Sequence, residues 1–594
     1  MHTNDMKLLI EFKKSLSEWR VTYIKGSTSF KAIATLAPIL LTLHFAKTVE
    51  ESQLLCNYTI TLLLIIILLL TYYRKHFFYL TSIDIFAFLF LISVSIGCFY
   101  NQLDYRSLYP ILIWSSYYML IRIAIDNINI RTFLNGLFLI MLLVSFYSLL
   151  QQIGILPNDF RIQLNNTGFF IHTAPLAGYL AACIPLSLYV HRQLKSRYFK
   201  VINIIFFCIN LMVIIITQSR AAFLAVLSVG VILSYFSFRT YLHRKRSLIV
   251  LLSLVPVGLY LLYMIRPVSA LGRLFVWKVS LNMVTENPFT GTGTGQFKTK
   301  YIQHQAHYFI NQGTCYEKLN AQVVLYPFNE FIRITLENGF IGILLFLCVL
   351  FICFKKLYLN HTQLNALIVI TCLVSLTIFS FFSYAYEILP IGLLLTTFIA
   401  LTSNLYGKKI VRCNVSGNIL LVSLCLCSYF VVTDLINAKK WEEYIHSVKH
   451  TANLNKLRNI YSSFNNYGPF LYDFGAELVK QKELNEATII LAKSIQLSNY
   501  PNQYDFLAHC YENTNQLEKA KQVYLLRYYA EPSQLYYLHK LFKLAIKCKR
   551  PADAYHWAKQ ILDTKCIDAS KQNAHIIEQS RKYIIYQNNK LKNL

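Results

Sequence analysis

Apolar runs of about 15–20 residues, joined by short polar connections, constrain what this chain can fold into more than any other feature. They lie near residues 32–46, 57–73, 83–100, 109–125, 133–152, 174–190, 201–217, 221–238, 248–264, 339–354, 364–382, 388–405 and 417–433. In hydrocarbon every backbone N–H and C=O must be satisfied internally, and a helix does this within one segment. The expectation is an all-α, polytopic membrane helical bundle of about 12–13 spans. Composition agrees: 55% of residues are hydrophobic and 14% charged, against about a quarter charged in an ordinary soluble domain.

The net charge of +28 has a topological reading, because Lys and Arg sit in alternate connections. The first 31 residues hold Lys7, Lys13, Lys14, Arg20, Lys25 and Lys31 and read as a cytoplasmic segment. The same side then receives Arg74 and Lys75, Arg122 and Arg131, and the 192–200 and 239–246 connections. Lys355 with Lys356, and Lys408, Lys409 and Arg412, complete the series, while the intervening loops carry few cations, such as Lys47, Arg106 and Arg161. This phase exports residues 266–337 and everything after about 434. No basic patch with stacking aromatics stands apart from the spans, so nucleic acid is not an expected partner. The fourteen cysteines show no CxxC pair and read as small buried hydrophobes. The N-terminal residues lack the pattern of a cleaved signal peptide.

Residues 434–594 are polar and repetitive. YDFGAELVKQKELNEA (472–487), YDFLAHCYENTNQLEKA (504–520) and YLHKLFKLAIKCKRPADA (537–554) align, with Ala487, Ala520 and Ala554 closing them 33 and 34 residues apart. This period resembles tetratricopeptide repeats, arrays of helical hairpins that bind peptides or partner proteins.

Three patches are exported under this topology. NNTGFFIHTAPLAGYLAACIP enters the sixth span, TQSRAAF is a short turn between the seventh and eighth, and residues 265–338 form a long polar segment. Arg220, at an apolar boundary with almost no loop to solvate it, reads either as a cavity or anion-binding residue or as a side chain snorkelling to the interface. In the long segment Arg266 and Arg273 precede a stretch whose Leu274, Trp277, Leu281 and Val284 share one helical face, a pattern suited to a membrane surface. ENPFTGTGTGQF follows; with no GK[ST] and no βαβ context it is a turn rather than a nucleotide loop. Glu330, Arg333 and Glu337 form one helical stripe, either a self-satisfied ionic face or a carboxylate poised for chemistry.

Together and in this order, these patches resemble the O-antigen ligase and polymerase superfamily. GRLFVWKVSLNMVTENPFTGTGTGQF is similar to the opening of the family's exported loop, YPFNEFIRITLENGFIG to its close, and TQSRAAF to its Ser-Arg turn. The resemblance implies a GT-C-like, inverting, metal-independent glycosyltransferase of the bacterial inner membrane, with a cytoplasmic N-terminus, a transmembrane domain over 32–433 and a periplasmic C-terminal domain. It implies a glycan donor on undecaprenyl pyrophosphate and no cofactor. The acceptor is lipid A-core, a growing glycan or a protein hydroxyl, for ligase, polymerase and protein O-oligosaccharyltransferase respectively.

The same resemblance assigns Arg220 and Arg273 to the pyrophosphate; the acceptor proton falls to Glu330 or another group, or base catalysis is dispensable with so good a leaving group. Arg266, Asn329, Arg333, Trp277 and His172 are expected around the substrates. The sequence departs from the family at Phe328, where ligases carry a His. A flippase for lipid-linked glycans is the alternative from another class, but the polar features cluster on one face and no duplication of spans is visible.

Overall fold

A computed structural model of the chain describes residues 28–45, 50–72, 77–101, 103–124, 129–156, 167–237, 264, 267–414, 417–447, 454–564 and 571–592. Among these the chain is almost entirely helical, as the run pattern requires. In order the elements are α1 (Thr28–Phe45), α2 (Glu50–Tyr72), β1 (Phe77–Thr81), α3 (Ser82–Tyr100), α4 (Tyr109–Ala124), α5 (Ile130–Gln152), α6 (Thr173–Gln193), α7 (Arg197–Ile216) and α8 (Arg220–Ser237). Then come α9 (Pro267–Val284), α10 (Phe297–Asn311), α11 (Cys315–Asn320), α12 (Glu330–Leu359), α13 (Leu364–Phe381), α14 (Leu389–Tyr406), β2 (Lys409–Asn414) and α15 (Gly417–Ser447). The polar tail forms α16 (Leu454–Phe464), α17 (Gly468–Lys480), α18 (Leu484–Leu497), α19 (Pro501–Asn513), α20 (Leu517–Ala530), α21 (Leu535–Lys547), α22 (Pro551–Asp563) and α23 (Lys571–Lys592). Seven described helices, α3, α5, α6, α7, α12, α13 and α14, are long and apolar enough to cross a membrane. The runs at 32–46, 57–73, 109–125, 221–238 and 417–433 fall in α1, α2, α4, α8 and α15, and the run at 248–264 lies outside the described residues.

The chain divides into two compact units. The first comprises residues 1–91, 109–257 and 345–435. Its centre is α6, which packs on α5, α7, α8 and α13. Ala177, Ala181 and Ala182 of α6 and Ala221, Ala222 and Ala225 of α8 are buried there; side chains this small let helix backbones approach where lipid supplies no hydrophobic drive. β1 pairs antiparallel with β2, Phe77 opposite Asn414 and Leu80 opposite Val411. Beside this pair lies a buried charge. Arg122 Nε donates to Asp84 Oδ1 and Nη2 to Asp84 Oδ2, both at 2.8 Å, and the guanidinium also reaches Tyr79 O and Asn404 Oδ1. Asp84 further accepts from the Thr81 N–H at 2.7 Å. Each charge is thus paired and hydrogen-bonded, the condition for carrying it at low dielectric.

The second unit comprises residues 92–108, 258–344 and 436–594. It gathers the connection after α3, the long polar segment and the polar tail, all three expected on the exported side. Arg106 ties two of them, donating Nη2 to Ser463 O at 2.7 Å with its guanidinium over the Phe464 ring. In the tail α17–α18, α19–α20 and α21–α22 are successive helical hairpins. Lys482, Asn515 and Lys549 each take positive φ two residues before the second helix. The next N–H bonds back five residues in every case: Glu483 to Leu478 O, Gln516 to Tyr511 O, Arg550 to Ala545 O. These are repeated Schellman-type caps. Ala487, Ala520 and Ala554, aligned from sequence, each occupy the fourth position of the second helix and are fully buried.

Candidate functional site

In the first unit the site residues stand at helix starts. The connections 194–196 and 217–219 are short, so α6, α7 and α8 run alternately and the first residues of α6 and α8 share one end. Arg220 opens α8, half-buried, after a turn in which Gln218 takes φ 51° and the Ser219 carbonyl accepts the Phe223 N–H at 3.1 Å. Arg220 therefore stands at the N-terminus of α8, where the backbone dipole is also positive. His172 is the exposed N-cap of α6 and makes no side-chain cap bond.

In the second unit α9 and α10 close a core of Phe275, Val279, Met283, Phe297, Tyr301 and Tyr308. The stripe expected to face lipid is divided: Leu274 and Leu281 are more than half exposed, Trp277 is half-buried and Val284 is buried. The reason is that α9 is apolar on two sides, and Phe275, Val276, Val279 and Met283 take the packed one. Beside α9 a cavity of about 300 Å³ is lined by Phe275, Lys278, Tyr316, Glu317 and Asn320 among others. Lys278 donates to Tyr308 Oη and Glu317 there. His304 is half-buried, 3.4 Å from Glu286, and burial pushes its pKa down; His307 is exposed.

The closing motif is built as a cap and an ionic stripe. Asn329 Oδ1 accepts the N–H groups of Phe331 and Ile332, starting α12. One turn on, Arg333 Nε donates to Glu330 Oε2 at 2.6 Å and Nη1 reaches Glu337 Oε2 at 3.4 Å. All three are buried. The stripe read from the sequence is present: Arg333 pairs with Glu330 and with Glu337, and Glu330 is a carboxylate engaged by a guanidinium.

The glycine-rich turn grips this helix. Gly291 has φ +71°, and a Cβ on it would lie 2.3 Å from the Glu337 carbonyl carbon. Gly339, at φ +66° and ψ −173°, breaks α12 where the turn crosses it. Thr292 N–H donates to Leu336 O, Gly293 N–H to Glu337 O, Gly295 N–H to Glu337 Oε1, and Phe340 N–H to Pro288 O. The N–H groups of Thr292, Gly293 and Gly295 are thus spent on the protein's own helix rather than open to a phosphate.

What the structure brings together is α9 and the approach to α12. Trp277 Nε1 donates to Pro327 O at 2.8 Å, and the Arg273 guanidinium lies 5.3 Å from the centre of the Phe328 ring. Phe328 has φ 54°, a left-handed conformation that costs an L-residue about 1–2 kcal/mol. It is held between a carbonyl bonded by Trp277 and a helix cap made by Asn329. The sequence marked Phe328 only as the place of a missing base; its part as the platform under Arg273 had no signal beyond its Pro-x-Asn setting. Arg266 lies outside the described residues.

Among the described residues no group of three or more His, Cys, Asp or Glu is arranged to hold a metal.

Residues 204–347 match the family described as O-Antigen ligase. A protein of Rickettsia felis, named provisionally as a polysaccharide ligase, is 36% identical over 95 residues, 16% of this chain and 22% of that protein. Proteins of Rickettsia conorii and Rickettsia typhi with the same provisional naming are 31% identical over 122 residues and 34% over 95. This chain therefore spans only about a quarter of each relative's length: 22%, 28% and 22% respectively.

Proposed function

Because the chain carries a domain of the O-antigen ligase superfamily, we propose that it transfers a glycan from undecaprenyl pyrophosphate to an acceptor hydroxyl on the periplasmic side of the inner membrane. The observation that carries this reading is the span of the matched region. It contains Arg220 at the start of α8 and the whole loop from Arg273 to Glu337. An acceptor of the surface-polysaccharide kind is favoured by the provisional ligase naming of the relatives.

A donor of this class already holds an excellent leaving group. The protein's work is to bind the departing pyrophosphate and align a hydroxyl. Guanidinium forks suit the first task, since they give bidentate charge-assisted bonds to phosphate oxygens. Arg220 is proposed for it, with its charge at a helix N-terminus, and Arg273, whose stem and plane Phe328 supports. His172, at the same helix end as Arg220, and Trp277, Asn329, Arg333 and Arg266 are proposed to shape the substrate sites. Glu330 is proposed to receive the acceptor proton. A leaving group this good asks little of that base. Polymerase and protein O-oligosaccharyltransferase chemistry use the same half-reaction and differ in acceptor. The hairpin array is proposed to be tetratricopeptide-like.

The test is glycan transfer by membranes carrying the full chain with a synthetic lipid-linked donor. Arg273→Ala and Arg220→Ala are each expected to lower kcat/KM at least about hundredfold, the scale of losing a charged transition-state contact. Arg273→Lys should not restore it, because an ammonium lacks the fork. Full activity in both Ala variants, or donor accumulating on the cytoplasmic face in the deletion strain, would overturn the assignment, the latter in favour of a flippase.

A further inference from the structure

The helical tail and the polar loop share the second unit, and their contact is specific. Ile302 and Ala306 of α10 are buried in one cluster with Tyr504 and Ala530 of the array, and Val323, Val523 and Leu526 pack against it. Two hydrogen bonds cross the same junction. Gln305, fully buried, donates Nε2 to Ala530 O at 2.7 Å, filling one of the carbonyls that the last turn of α20 leaves open. The Val323 N–H donates to Glu531 Oε1 at 3.1 Å.

Glu531 is itself fixed from within the array. Its other oxygen, Oε2, accepts from Arg527 Nη2 at 2.6 Å. The Arg527 guanidinium is buried between the rings of Tyr504 and Tyr537, at 5.5 and 4.9 Å, so it is braced by α19 and α21. Among the described residues its Nε and Nη1 have no hydrogen-bond partner. Glu531 is thus the carboxylate paired with a buried guanidinium and, at the same time, the acceptor for the loop backbone.

Val323 begins the short stretch that ends at Pro327, whose carbonyl Trp277 holds, and Phe328, on which Arg273 rests. We infer that the repeat array is a working part of the transfer loop, and that Glu531 is a positioning residue which fixes the 321–328 segment and through it the Phe328–Arg273 pair. This rests on the function proposed above only for the meaning of activity; the anchoring itself is a statement about the second unit. The array's second-helix side, α18 and α20, is the side that α10 covers.

The experiment uses the full chain in lipid nanodiscs, with amide exchange by mass spectrometry and transfer kinetics on a synthetic lipid-linked donor. Glu531→Ala should raise exchange over 321–328 by about tenfold, the equivalent of one charge-assisted hydrogen bond. It should lower kcat by about tenfold while KM for the donor moves less than about twofold. Glu531→Gln keeps an oxygen for the Val323 N–H and should restore most of the exchange protection and of kcat, which a mere loss of folding would not. If Glu531→Ala also exposes the array, seen as exchange across 501–563, Gln305→Ala decides, with exchange rising over 321–328 and kcat falling in parallel. Unchanged exchange over 321–328, or raised exchange with unaltered kcat, overturns the inference. A wild-type chain that transfers no lipid-linked glycan refutes the proposed function instead, and the exchange result still decides the anchoring.

Discussion

Replacing Gly291 by Ala separates two ways in which a glycine can matter. A Cβ at this position would sit 2.3 Å from Glu337 C, 2.4 Å from Glu337 O and 2.5 Å from Asn338 N. All three are backbone atoms of α12, so no rotamer change relieves the overlap and the 288–295 turn must withdraw. Withdrawal gives up the bonds Thr292 N–H to Leu336 O and Gly293 N–H to Glu337 O, both 2.9 Å, and Phe340 N–H to Pro288 O at 2.7 Å. Each is worth about 1 kcal/mol net, and the left-handed φ adds about 1–2 kcal/mol for any L-residue. The expected local loss is about 4 kcal/mol. Gly295 is the internal control. It has nearly the same φ, +79°, and nothing within 4 Å of where a Cβ would point. Gly295→Ala should therefore cost only the conformational term, about 1–2 kcal/mol. The measurement is amide exchange at Thr292 and Phe340, whose protection reports local opening. Gly291→Ala should accelerate it at least about a hundredfold over Gly295→Ala. Equal acceleration in the two variants would mean that the turn does not clamp α12 and that only backbone conformation matters.

Other outcomes follow from the same structure. Asp84→Asn strips Arg122 of its buried counter-charge and should cost about 3–5 kcal/mol, read as a fall in the thermal midpoint of the detergent-solubilised chain; an unchanged midpoint would make the pair dispensable. At Glu317 burial raises the pKa, but the Thr314 N–H, the Tyr308 hydroxyl and Lys278 outweigh it and hold the carboxyl below its ordinary value. Its contribution is complete above the unfolded pKa and is lost as pH falls through the lower folded one. Lys278 is shifted upward by its bonds to Tyr308 and Glu317. Its share is complete below the unfolded pKa and is lost as pH rises through the higher folded one. Protease cleavage within 314–320 should thus stay low across neutral pH and rise below about pH 4, and Glu317→Gln should remove that acid step.

Features set by local periodicity were legible in the sequence. The i, i+3, i+7 spacing of Glu330, Arg333 and Glu337 gave one stripe, and the stripe is there. The closing alanines of the tail marked the helix-to-helix contacts at Ala487, Ala520 and Ala554. Features set by distant partners were not. β1 and β2 are short segments in basic loops more than 300 residues apart, and neither has enough alternation to announce a strand. The grip of Gly291 on Glu337 depends on a kink at Gly339 that the apolar run starting there conceals. Arg273 over Phe328 required knowing that α9 returns to the start of α12, which no spacing encodes.

The distant pairings, in return, test the charge phase from which the topology was read. β1 follows Arg74 and Lys75, and β2 contains Lys409 and Arg412, so two basic loops are hydrogen-bonded to each other. Asn101 Nδ2 reaches Gly291 O at 3.4 Å, joining two segments expected together on the opposite side. Each pairing demands an even number of crossings between its partners. Between β1 and β2 stand nine described helices with apolar runs: α3 to α8 and α12 to α14. The expected run at 248–264, outside the described residues, brings the count to ten. Between Asn101 and Gly291 the same run brings five, α4 to α8, to six. With the run at 248–264 counted as the span the sequence expects, one parity serves both pairings, and it is the parity that alternating charge demands. An error of one span anywhere between 101 and 291 would break both contacts at once, whereas an error confined to 339–405 would break only the strand pair. The two contacts therefore constrain different stretches of the expected topology.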